Sequence, residues 1–230
     1  MKWHVFAATV LLVLVTLACK KRSSTSTYTS TTTTTAEPAP ASTEEADKAT
    51  VKTKMATMDT IAAAKLPSIT TKPTVAKKGP KPILDGQGAG ANAALVAASS
   101  MPISLEKKMM SFEPLALPFC AAWAQGKKED LDSSYLHTCR DIKYLVVLRF
   151  SSRVDPKMVT STTFRGGQAA GDATVFDVDT GERLGAVPFS AQNYDKLEAM
   201  QGGEIGRAVA DLEGQCAHVV QTGLDTAWGE

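Results

Sequence analysis

Apolar and polar residues follow several distinct rhythms along this chain, and each rhythm predicts a different element. Val5 to Leu17 form a nearly continuous apolar run behind Lys2. Ile142 to Phe150 is rich in β-branched and aromatic residues and is apolar on both alternating sets through its middle. A strand apolar on both sides is buried on both faces, so this segment predicts a central strand. A second strand is expected from Ala173 to Val178, a turn at Asp179-Thr180-Gly181-Glu182, and a returning strand from Arg183 to Ser190. Pro188 has no amide hydrogen to donate, which places the returning strand at an edge. The rhythm then changes. Ile205, Val209, Leu212, Cys216, Val219 and Val220 recur mostly every three or four residues, the spacing of one helical face. With one earlier helix around Glu129 to Thr138, the pattern predicts an α+β fold, a small antiparallel sheet packed against a C-terminal helix.

From Ser23 to about Ser100 no rhythm persists. The segment opens on a Ser/Thr tract, continues through Pro38, Pro40, Pro73, Pro80 and Pro82, and carries Tyr28 as its only aromatic residue. Such a composition buries too little apolar surface to offset its ordering entropy, so residues 19–100 are expected to form a disordered tether. Met55, Met58 and Ile61 are compatible with one or two transient helical turns there. A flexible linker of this length reaches roughly 50 Å. The predicted organisation is a signal segment at 1–18, the tether at 19–100 and one small domain at 101–230.

The near-neutral total conceals an uneven division of charge. Residues 20–100 hold eleven basic and six acidic side chains, whereas residues 101–230 hold thirteen basic and eighteen acidic ones. An acidic domain without a basic, aromatic face argues against nucleic-acid binding.

Lys2, the short apolar run and Leu17-Ala18-Cys19, followed by Lys20-Lys21-Arg22, together resemble a bacterial lipoprotein export signal. Ala18 fills the small position before the cysteine, and Leu17 sits one place later than the family's usual leucine. The resemblance implies cleavage before Cys19, acylation of that residue and a membrane anchor. Multiple acyl chains hold a protein stably where one does not. The residue after the cysteine, Lys20, implies the outer membrane of the cell envelope. Ordinary cleavage after Ala18 and an uncleaved single-pass helix are the alternatives.

Three further cysteines, Cys120, Cys139 and Cys216, lie in the predicted domain. In an oxidising compartment two of the three should pair. Cys216 falls on the apolar helical face, where a thiol behaves as a small hydrophobe, which favours a Cys120–Cys139 disulfide. His137-Thr138-Cys139 and Cys216-Ala217-His218 hold zinc-type ligands, but residues two apart on a helix point about 200° apart. Asp177-Val178-Asp179 lacks the third oxygen ligand of a calcium loop and reads as a hairpin. Gly86-Gln87-Gly88 has no strand before it and reads as linker, and Arg165-Gly166-Gly167 with Gly171 reads as a mobile loop. No metal and no cofactor is expected.

No nucleophile elbow or metal-binding histidine pair is present. The expected function is a non-enzymatic lipoprotein domain that binds an envelope protein or polysaccharide, or has a structural role. The alternative is an envelope hydrolase with its site near His137 or the Arg165–Gly171 loop.

Overall fold

In a computed structural model, which describes residues 41–75, 79–87, 90–160, 164–193 and 204–229, the apolar run around Leu145 is the middle of the molecule. In chain order the elements are α1 (Ala41–Ala63), β1 (Thr74–Val75), β2 (Ala93–Ala97), α2 (Ala116–Ala124), α3 (Ser133–Asp141), β3 (Tyr144–Val154), β4 (Lys157–Met158), β5 (Phe164–Arg165), β6 (Gln168–Asp177), β7 (Arg183–Gln192) and α4 (Glu204–Trp228). The described residues belong to one unit, Pro40–Glu230. The expected export signal, Cys19 and the first part of the expected tether lie outside the described residues.

Five strands form one sheet in the order β1-β7-β6-β3-β2, and β4 pairs with β5 in a separate two-stranded ribbon. Strand β3 is central and buried on both faces, as its sequence predicts. Leu145 and Val147 meet α1, α2 and α3 on one side, in a core with Val51, Met58, Leu117 and Leu136. Tyr144, Val146 and Leu148 meet α4 on the other, in a core with Leu212, Val220 and Leu224. The α+β class stands. The sheet is mixed rather than wholly antiparallel, because β2 runs parallel to β3. A parallel neighbour requires a crossover connection, which α2 and α3 supply.

The expected tether is corrected from Ala41 onward. Val51, Met55, Met58 and Ile61 of α1 are all at most 4% exposed, and their spacing lines one helical face. The Thr- and Ala-rich composition dilutes that face without removing it, so burial against neighbouring helices overrides average polarity. Strand β2 is likewise buried throughout, although three of its five residues are alanine. The 166–171 segment is also corrected. Gly171 lies within β6, where a Cβ would stand 1.8 Å from the Arg149 carbonyl oxygen, so close strand approach explains the glycine. Gly167 is packed against Pro156 and Val154 rather than free in a loop.

The expected turn holds at the level of single atoms, whereas the returning strand β7 is corrected from an edge to the second place in the sheet, because the short β1 pairs with it at Gly185 and Ala186. The Asn193 amide donates to the Gly167 carbonyl, which sets residues 187, 189 and 191 as those bonding β6. Pro188 therefore faces away from β6, and β1 stops at Thr74, opposite Ala186. At the hairpin, Asp177 Oδ1 accepts from the amides of Asp179 and Thr180, each at 3.0 Å, and Gly181 takes a φ of 72°. Helix α4 buries Ala208, Leu212, Cys216, Val220 and Leu224, while Ile205 at its start is 40% exposed.

Candidate functional site

Two adjoining cavities, about 520 and 280 Å³, share Asp85, Pro114 and Thr138 and form one groove. Its walls are the turn after Leu84, the segment 111–116 and the outer face of α3. Phe112, Leu115, Ser134 and Tyr135 line the larger part, and His137 and Asp141 line the smaller.

Each wall is fixed by a buried polar side chain that bonds backbone. Glu113, 7% exposed, accepts from the amides of Ala97 at 2.8 Å and Met110 at 3.0 Å. Glu213 accepts from the Ser111 amide at 2.7 Å, tying the same segment to α4. Gln221 accepts from the Leu84 amide at 2.8 Å and donates to the Pro82 carbonyl at 3.1 Å. A buried polar group is costly unless bonded, so these three side chains hold the walls where their partners are.

Helix α3 is secured at both ends and along its inner face. Asp132 caps its start by accepting from the Ser134 amide at 2.8 Å, and the Ser134 hydroxyl and amide hold that carboxyl below the usual range. At the other end Lys54 of α1, 7% exposed, donates to the carbonyls of Arg140 at 2.7 Å and Ile142 at 2.6 Å. A cation there also suits the negative end of the helix dipole. Cys139 is disulfide-bonded to Cys120 of α2 with a Cα–Cα distance of 6.7 Å, and both are fully buried. The predicted pairing is thus present, with Cys216 free and buried.

The groove carries acceptors and apolar surface together. Hydrogen bonding from Arg140 keeps the Asp141 carboxyl below its usual range, so it is anionic at neutral pH. Asp85 adds a second carboxylate, and Ser111, Ser134 and Thr138 add hydroxyls. Tyr135 stacks on Phe119 with ring centroids 5.1 Å apart, which steadies the aromatic part of the lining. Such a lining suits a polar ligand, neutral or cationic, with an apolar face.

Of the residues singled out from sequence, His137 reaches this groove while His218 is exposed on α4. Ser134, His137 and Asp141 share a helix face, but the Ser134 hydroxyl donates to Asp132 and Asp141 accepts from Arg140. The zinc-type pairs are separated: Cys139 is consumed by the disulfide in one core, and Cys216 lies in the core across the sheet. Among the described residues no group of three or more His, Cys, Asp or Glu side chains is arranged to hold a metal ion. Glu113, Glu213 and Gln221 escape sequence reasoning, because a lone polar residue carries no pattern that marks it as buried.

No helix among the described residues is long and apolar enough to cross a membrane. Comparison with known proteins finds no matching family model, no matching curated protein and no matching solved structure.

Proposed function

We propose that this chain is an exported, lipid-anchored envelope protein, held at Cys19, whose folded unit binds an elongated polar ligand of the envelope in the groove beside α3. The observation that carries the reading is the buried Cys120–Cys139 disulfide. Disulfides persist in oxidising compartments, and this one fixes the helix that forms a groove wall. The export signal explains how the chain would reach such a compartment. The mixed lining of carboxylates, hydroxyls and aromatic rings favours a polysaccharide over a flat protein surface. The test is binding of membrane-extracted full-length protein to envelope polysaccharide, compared with Thr138→Trp, which fills the groove. Retention by the parent and loss in the variant support the proposal. Equal retention by both removes the groove from it.

The hydrolase alternative keeps one specific support, since His137 and Asp141 line the same cavity. Turnover of the polysaccharide that disappears in His137→Ala would favour that reading.

A further inference from the structure

A second surface lies beyond the groove. Strands β3 and β6 stay paired as far as Val154 and Gln168, past the bulge near Phe150, and the β4–β5 ribbon continues this arm. The base of the arm is fixed to the body. Arg153 donates to Glu213 at 3.0 Å and to Asp155 at 2.7 Å, and its guanidinium lies 5.2 Å from the Phe150 ring. The Gly167 amide donates to Asn193 Oδ1 at 2.6 Å.

The ribbon itself has two unusual properties. Lys157 stands directly opposite Arg165, so two exposed cations face each other across a ladder. Like charges in that position are destabilising. Neither has a carboxylate partner among the described residues, and Asp155 is engaged by Arg153. Residues 160–163 read Thr-Ser-Thr-Thr and add no carboxylate. Among the described residues the cation pair thus has no internal counter-charge.

The second property is apolar exposure. Seven large hydrophobic residues are exposed among those described, and three of them fall within this arm: Val154 at 55%, Met158 at 40% and Val159 at 67%. A free anion would use the cations and ignore these side chains. A lipid surface uses both, with cations at the headgroups and apolar side chains below them. The charge distribution selects the same end of the molecule. Residues 152–168 hold three basic side chains and one acidic one, whereas residues 41–230 as a whole hold 21 basic and 23 acidic ones.

We infer that the β4–β5 ribbon is a membrane-contact tip, which seats Lys157 and Arg165 against anionic headgroups and inserts Met158 and Val159 into the interface. The contact would orient the folded unit on its membrane and does not depend on whether Cys19 is acylated.

The experiment places a tryptophan at the tip, Val159→Trp, in the full chain, and measures its quenching by brominated lipid relative to the parent. Vesicles of brominated phosphatidylglycerol should quench the added fluorescence, and vesicles of brominated phosphatidylcholine should not. Combining Val159→Trp with Lys157→Gln and Arg165→Gln should remove most of the quenching. These side chains are exposed, so circular dichroism and melting should match the parent; should Val159→Trp misfold, Met158→Trp carries the same test. Absent quenching on anionic vesicles, or equal quenching on both lipids, overturns the inference. Loss of quenching in millimolar inorganic phosphate at constant ionic strength overturns it too, by assigning the cation pair to a free anion.

Discussion

At the scale of single residues, the fold leans on one ion pair that spans the sheet. Arg149 and Asp172 are cross-strand partners, with Nε–Oδ1 at 2.7 Å and side chains 11% and 0% exposed. Asp172 also accepts from the Thr70 amide at 2.8 Å, and Arg149 donates to the carbonyls of Pro67 and Ser68. The pair thereby holds the segment after α1 onto the sheet. Removing one partner leaves a buried charge uncompensated, so Asp172→Ala should cost about 3–5 kcal/mol in urea denaturation. Arg149→Met combined with Asp172→Leu should recover much of that loss, and a combined cost equal to the single one would contradict the account. Cys216 offers a second check. Burial pushes its thiol up to about 11. A raised value means that its contribution to stability is full below about pH 8.5, the unfolded value, and is lost as pH rises through about 11. At pH 8 iodoacetamide should leave Cys216 unmodified in the native protein and modify it in denaturant. The disulfide was legible because Cys216 sits on an apolar helical face, leaving Cys120 and Cys139 to pair. Arg149 and Asp172 were not, since neither belongs to any short-range pattern.

At the scale of elements, α1 decides where the folded unit begins. Its buried face of Val51, Met55, Met58 and Ile61 completes the core on one side of the sheet, and its Lys54 caps α3. A chain beginning at residue 64 or at residue 101 should therefore lose cooperative unfolding by circular dichroism. A sharp two-state melt from either would show that α1 is dispensable. Helices α2 and α3 depend on their covalent link. Cys120→Ser with Cys139→Ser opens a loop of sequence separation 19 and should cost about 3 kcal/mol, measured as a shift in denaturation midpoint. Strands β3, β6 and β7 were readable because β-branched residues and a turn sequence mark them. Strand β2 reads Ala-Ala-Leu-Val-Ala, and α1 is rich in Thr and Ala, so both resemble linker until tertiary burial gives their few large residues something to pack against.

At the scale of the whole molecule, α1, α2 and α3 cover one face of a central sheet and α4 covers the other, with the groove where α3 meets the edge beyond β2. The charge division read from sequence shifts with the domain boundary. Residues 41–230 carry a net charge of −2, from 21 basic and 23 acidic side chains, and Lys20, Lys21 and Arg22 fall outside that stretch. The buried disulfide is what supports the proposal that the protein works in an oxidising compartment, held there at Cys19. The most direct test is the intact mass of the protein extracted from membranes, with and without reduction and alkylation. The account predicts a species that begins at Cys19, carries added acyl mass and is two hydrogens lighter before reduction. A full-length species without acyl mass, or one whose cysteines all alkylate without reduction, would contradict it.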